Sequence, residues 1–223
     1  MVQAPRPGQR SPSLAQALLN LLFPPRCVAC HRPGEWLCTT CIDQIVFYER
    51  PWPALLEDPF PLHGVRAAAH FSGALRDAIH AFKYKGLRAL DGTLGEMLGD
   101  CWDADPWPVE VIVPVPLHPS RLRERGYNQS ALLARQLARH SGLAIAEDSL
   151  IRVAATAPQV GLNTVQRAEN VRDAFRCPGT SLQGSRVLLV DDVLTTGATL
   201  RACALTALTG GASQVWGLAL AHD

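Results

Sequence analysis

The stretch Val187-Leu188-Leu189-Val190-Asp191-Asp192-Val193-Leu194-Thr195-Thr196-Gly197-Ala198-Thr199 decides the fold. Its four leading apolar residues predict a buried strand over 187–190, and a helix is expected over 197–208. A strand that runs through a short loop into a helix is the unit of a parallel α/β sheet, whose ligands lie beyond the carboxyl ends of the strands. The loop suits a phosphate: a helix N-terminus presents unpaired N–H groups and about half a positive charge. The hydroxyls of Thr195, Thr196 and Thr199 add donors, and Gly197 beside Ala198 lets the backbone approach without a Cβ. Asp191 and Asp192 cannot serve that phosphate, because like charges repel. They are acceptors for a ligand rich in hydroxyls, such as the 2′ and 3′ positions of a ribose, or for a metal ion. A plain strand–turn–helix with Thr195 or Thr196 as N-cap is the alternative, but a bare cap does not require two acids after four buried residues. The stretch has neither the Gly-Lys-Ser/Thr of a Walker A loop nor the GxGxxG of a dinucleotide turn.

Outward from this stretch the pattern repeats. Strands are expected over 65–70, 109–115 and 214–221, and helices over 74–84, 87–102, 129–140 and 163–173, with Gly86 as a stop and Gly142 in a C-cap region. The expected fold is a doubly wound, mainly parallel α/β sheet. The turn Pro114-Val115-Pro116-Leu117 ends the second strand and is followed by His118, Arg121, Arg123 and Arg125. Cationic side chains beside a strand end suit a multiply charged leaving group such as pyrophosphate. A solvated face partly balanced by Glu124 is the other reading, and charge alone leaves the two even.

The N-terminal part is different. Residues 1–25 read as a polar tail and an amphipathic docking helix over 14–23, where Leu14, Leu18, Leu21 and Leu22 share one face and Pro24 ends the run. Arg6 and Arg10 ahead of that run imitate a signal peptide, but Pro24, Pro25 and Arg26 stand where a small-residue cleavage site would be. In residues 26–62, a cysteine module precedes a connector whose prolines rule out a long helix or central strand; 63–223 is the α/β domain. Cys27-x-x-Cys30 and Cys38-x-x-Cys41 form two knuckles, and four thiolates on two turns make a tetrahedral, structural zinc site with no position left for substrate. Disulfide pairing or thiol redox chemistry is the alternative; neither pair opens a helix in a βαβ unit. Cys101, Cys177 and Cys203 are isolated and read as packing residues. An odd cysteine count of 7, clustered rather than spread, and no apolar run long enough to span a bilayer place the chain in the cytoplasm, with no membrane partner. A net charge of +1 argues against a general polyanion binder.

The stretch from Val187 to Thr199 resembles the fingerprint of type I phosphoribosyltransferases. The run from Pro114 to His118, Arg125-Gly126-Tyr127-Asn128-Gln129, Phe82-Lys83-Tyr84-Lys85-Gly86, Pro158-Gln159, Arg167 through Asn170 to Phe175, and the cysteine module are together similar to the ComF/GntX family. That family is a branch of the phosphoribosyltransferase-like proteins associated with DNA uptake in competent bacteria. The resemblance implies that Asp191 and Asp192 face the ribose of phosphoribosyl pyrophosphate while the residues from Thr195 to Thr199 cradle its 5′-phosphate. It implies that Val115, Pro116 and Leu117 belong to the pyrophosphate loop, that residues 152–167 include a closing loop, and that Lys83 reaches ligand phosphate. The plain reading of Lys83 and Lys85 is as complements to a helix C-terminus. Where relatives often carry an Arg after the last strand, this chain ends in Ala221-His222-Asp223, and no function is read from His222.

Two classes of function follow. As an enzyme, the protein displaces pyrophosphate from the anomeric carbon with a nitrogen nucleophile, Mg²⁺ arriving with phosphoribosyl pyrophosphate. As a non-catalytic sensor or adaptor, it keeps the phosphate site but docks a helicase-like DNA-uptake ATPase. Single-stranded DNA held by Arg121 to Arg125 and nearby aromatics is a third reading, disfavoured by the near-zero charge. The sequence leaves the acceptor, turnover and a homodimeric state open.

Overall fold

The computed structural model describes residues 24–56, 58–154 and 174–223. The docking helix expected over 14–23, the helix over 163–173, and Pro158, Gln159, Arg167 and Asn170 lie outside the described residues.

Apolar runs of β-branched and leucine side chains form the strands. They are β1 (Gly64–His70), β2 (Val111–Pro114), β3 (Ala144–Ile145), the short pair β4 (Ile151–Arg152) and β5 (Phe175–Arg176), then β6 (Arg186–Leu194) and β7 (Gln214–His222). β4 and β5 pair antiparallel on their own, and the other five form one sheet in the order β1-β7-β6-β2-β3. Every pairing in that sheet is parallel. A parallel sheet needs both faces covered. The helices that cover it are α2 (Gly73–Tyr84), α3 (Asp91–Ala104), α5 (Gln129–Ser141) and α6 (Ala198–Thr209); α1 (Thr39–Ile42) belongs to the cysteine module and α4 (Pro119–Arg125) to the loop after β2.

Alternation along the strands divides the core in two. On one side Ile112, Leu188 and Val190 pack with Ile79 and Phe82 of α2, Leu94 and Leu98 of α3, and Leu133 and Leu137 of α5. On the other, Val113 and Leu189 pack with Leu200 and Ala204 of α6, with Phe175 of β5, and with Leu56 and Leu62 of the connector. Each fully buried leucine contributes roughly 1.5–3 kcal/mol. The chain that leaves β2 therefore returns over one face and the chain that leaves β6 over the other. β2 and β6 are neighbours, so their carboxyl ends flank the crevice at which such sheets bind ligands.

The connector closes the open edge of β1. His70 donates its backbone N–H to the carbonyl of Val46 (2.9 Å), and Tyr48 donates to that of Ala68 (3.0 Å). At the other end of the strand, the buried Arg66 guanidinium lies 3.8 Å from the Trp107 ring and 5.1 Å from that of Trp52, and pairs with Asp105 at 2.6 Å. Unpaired strand edges invite association, and this strap removes one.

Three sequence expectations shift. The strand expected over 187–190 continues to Leu194, because its register with β7 persists through Asp191 opposite Ala219 and Leu194 opposite His222. The helix expected over 87–102 starts as a 3₁₀ turn, Arg88–Leu90, before α3. Arg121, Arg123 and Arg125 lie on α4 rather than in a loop; Pro119 suits its first position and the Nδ1 of His118 accepts from the Ser120 backbone N–H.

Candidate functional site

The sheet delivers two carboxylates to its carboxyl edge inside the last turns of β6. Both are buried, with Asp191 at 9% and Asp192 at 3% exposure, where an unpaired charge would be costly. Each has a partner. The Ser130 hydroxyl at the start of α5 donates to Oδ1 of Asp191 (2.9 Å), as does the backbone N–H of Asp192 (2.9 Å). The Lys83 ammonium, in the last turn of α2, lies 2.8 Å from Oδ1 of Asp192. Oδ2 of Asp192 is buried without a partner among the described residues. Burial, reinforced by the charge of Asp192, pushes the Asp191 carboxyl up to about 7, against the opposing pull of Lys83, the Asp192 N–H and Ser130. An orphaned carboxylate oxygen beside a half-titrated carboxyl suits a hydroxyl donor or a hard cation.

Beyond the acids, β6 opens a hollow with about 220 Å³ of empty space, lined by Asp191, Val193 and the run from Leu194 through Thr195, Thr196, Gly197, Ala198 and Thr199 to Leu200. Gly197, not a threonine, caps α6, at φ 76° in the left-handed region. No threonine side chain is spent on capping the helix. A Cβ on Gly197 would also come within 2.8 Å of the Leu56 methyl groups, so the connector is packed against the loop. Arg201 hydrogen-bonds the carbonyl of Asp58 and fixes the same strap to α6.

The turn after β2 lies next to this loop. Val115 donates its backbone N–H to the carbonyl of Val190 at 2.9 Å, and its own carbonyl accepts from Asn128 at 3.0 Å. Val115 and Pro116 are buried and Leu117 is half-buried. Arg125 is bonded to Gln129 and its guanidinium lies 5.3 Å from the Tyr84 ring. Lys83, expected to reach ligand phosphate, is paired with Asp192; Lys85 is exposed. Ser130 was absent from the sequence-derived candidates, although it follows the Asn128 that caps α5. Arg152, singled out only as the start of a loop, lies 5.4 Å from the Phe175 ring; burial and the nearby Arg121 lower its pKa, opposed by Asp191.

At the N-terminus the sulfurs of Cys27, Cys30, Cys38 and Cys41 all lie within 4.8 Å of one another. Cys30 and Cys38 sulfurs are 3.6 Å apart. A tetrahedron of Zn–S bonds of about 2.3 Å has sulfurs about 3.8 Å apart, so these donors fit zinc. The Cys38 backbone N–H points at the Cys27 sulfur (3.5 Å), a contact that steadies a thiolate. Cys101 and Cys203 are buried away from this cluster, as expected of packing residues. No helix among the described residues is long and apolar enough to cross a membrane.

Residues 18–65 match the double zinc ribbon domain family. Competence protein F of Haemophilus influenzae is 32% identical over 193 residues, which cover 82% of this chain and 84% of that protein. The DNA utilization protein YhgH of Escherichia coli is 31% identical over 197 residues, 85% of this chain and 86% of that one. Competence protein ComFC of Bacillus subtilis is 26% identical over 83% of this chain and 72% of its own length. Among solved structures, the glutamine phosphoribosylpyrophosphate amidotransferase of B. subtilis aligns with 59% of this chain at a TM-score of 0.41 and 20% identity; this chain spans 26% of its length. A Trypanosoma cruzi hypoxanthine phosphoribosyl transferase aligns with 62% of this chain and 66% of its own at a TM-score of 0.36 and 14% identity.

Proposed function

We propose that this chain, which belongs to the ComF/GntX family of competence and DNA-utilization proteins, binds phosphoribosyl pyrophosphate across the carboxyl ends of β2 and β6. One observation carries the reading: two buried acids, one with an orphaned oxygen, lead directly into a threonine-lined hollow at the N-terminus of α6. Asp191 and Asp192 take the ribose hydroxyls, and Thr195, Thr196 and Thr199 with the backbone around Gly197 take the 5′-phosphate. Val115 to Leu117, one strand away, receive the pyrophosphate. Lys83 moderates the repulsion between the acids and the anionic ligand. Mg²⁺, when bound with the ligand, offsets the charge of the departing pyrophosphate. The closed set of four thiolates holds zinc for structure and takes no part in the chemistry.

Calorimetry tests this directly. The wild-type protein binds phosphoribosyl pyrophosphate with Mg²⁺, and Asp191→Asn/Asp192→Asn loses that binding while its melting temperature holds. Normal binding by the double variant would sink the assignment.

Regulation without turnover is the second reading, favoured by the apolar side chains that the cysteine module and connector expose, Trp36 (38%), Val46 (56%) and Phe47 (39%). A helicase-like DNA-uptake ATPase or a second copy is the kind of partner such a surface fits. Pyrophosphate release with any nucleobase supports the enzyme; tight binding without release supports the adaptor.

A further inference from the structure

The carboxyl edge carries a second cluster on the far side of β6. His222 ends β7 directly opposite Leu194, and His70 ends β1 directly opposite His222. The backbones of His222 and His70 therefore stand one and two strand spacings, about 5 and 10 Å, from Leu194, which opens into the threonine loop. Tyr48 reaches them from the strap along β1. Its hydroxyl lies 3.3 Å from Nδ1 of His70 and 3.2 Å from Nδ1 of His222, and its ring centroid is 4.1 Å from that of His70. Neither the acids nor the phosphate cradle uses this group.

One hydroxyl between two Nδ1 atoms fixes the protons. It has a single hydrogen, so it donates to one Nδ1 and accepts from an N–H on the other. The two neutral rings then hold opposite tautomers. One Nε2 carries a hydrogen and the other a bare lone pair, and neither has a hydrogen-bond partner among the described residues. Burial, with His70 beside it, holds His222 below the usual histidine range, so that ring is neutral near pH 7; Asp223 opposes the shift.

The order along the edge gives this pair a role. The turn after β2 lies on one side of β6 and the histidines lie on the other. Displacement at one carbon brings the incoming and departing groups to opposite sides. We infer that Tyr48, His70 and His222 form the acceptor subsite, a paired donor and base for a planar nitrogen heterocycle that attacks the anomeric carbon. In that step the C1–N bond forms and the C1–O bond to pyrophosphate breaks, its electron pair leaving with the pyrophosphate. The acceptor's N–H proton passes to the bare Nε2. This rests on the proposed binding of phosphoribosyl pyrophosphate.

The test is calorimetry on the full chain saturated with phosphoribosyl pyrophosphate and Mg²⁺, with adenine, guanine, hypoxanthine, uracil and orotate as probes. At least one probe binds the loaded protein, and His222→Gln and His70→Gln each weaken it roughly tenfold, the loss of one hydrogen bond. Affinity for phosphoribosyl pyrophosphate itself stays unchanged in both. Tyr48→Phe keeps the ring packing, weakens the probe by about threefold, and shifts the pH midpoint of probe binding, because the tautomers are no longer fixed. His70, His222, Tyr48 and Asp223 are the titratable groups to follow in that profile. A merely structural cluster would lower the melting temperature and leave the profile in place. A loaded protein that binds no probe, or binds one regardless of both glutamine variants, overturns the subsite alone. A wild-type protein that takes no phosphoribosyl pyrophosphate overturns the parent reading as well.

Discussion

Between Cys27 and Cys41 the buried side chains are mostly the ligands themselves, Cys27, Cys38 and Cys41 with Leu37, whereas β6 alone buries Val187, Leu188, Leu189 and Val190 completely. Beyond its sulfurs the module buries little of its own, and the sheet has a layer of packed side chains on each of its two faces. Order in the first depends on an ion, and order in the second on area removed from water. The connector joins the two regimes, with Leu56 against Gly197 and Tyr48 between the histidines. Cys27, Leu37, Cys38 and Cys41 also share one buried cluster with Ile79 and Phe82 of α2, so a perturbation of one regime should be felt in the other through that packing as well as through the strap.

Removing the metal is the largest test of this difference. Structural zinc supplies on the order of 10–16 kcal/mol of apparent binding energy to such modules, so chelation or Cys38→Ser unfolds residues 26–47. Circular dichroism of the sheet domain should persist, and hydrogen exchange should localise the loss. The double variant Asp191→Asn/Asp192→Asn is next. Two charge-assisted hydrogen bonds at roughly 1.5–3 kcal/mol each imply at least about a hundredfold loss of ligand affinity, with the zinc content unchanged. Leu188→Ala strikes the packed core and lowers global stability by about 2–5 kcal/mol in denaturant unfolding. It should leave metal stoichiometry intact.

Gly197→Ala probes the joint between the regimes. A left-handed φ costs an alanine roughly 1–2 kcal/mol, and its Cβ would collide with Leu56. Leu56→Ala should relieve the collision but not the backbone strain, so the double variant recovers only part of the lost stability in thermal melts. The smallest effect is on pH dependence. Asp191 is raised to about 7 in the free protein, so it is protonated below that value and ionised above it. Ribose hydroxyls donate, and bond more strongly to the ionised carboxylate than to the neutral acid, so affinity rises as pH climbs through 7; Asp191→Asn flattens the rise.

The sheet was legible because its strands are apolar runs bounded by turn residues, and 65–70, 214–221 and the helices over 74–84 and 129–140 match β1, β7, α2 and α5 within two residues at either end. The reach of β6 was not, since acids at a strand end look like loop when the pairing register with β7 is unknown. The metal ligands could be read directly, because CxxC spacing states the geometry of a knuckle. Arg125 and Lys83 were placed by charge and by the family resemblance, and neither shows the internal partners the fold adds: one is bonded to Gln129 and the other to Asp192. The histidine pair was invisible for another reason. His70 and His222 are 152 residues apart, and only the parallel pairing of β1 with β7 makes them neighbours.

The most direct measurement is a ³¹P NMR titration of phosphoribosyl pyrophosphate, with Mg²⁺, into the intact protein. The 5′-phosphate resonance should shift and broaden on addition of wild-type protein, and Thr196→Ala should diminish that change. A 5′-phosphate resonance that stays where it is in free solution, at protein concentrations that keep zinc bound, would contradict the placement of phosphate at the start of α6.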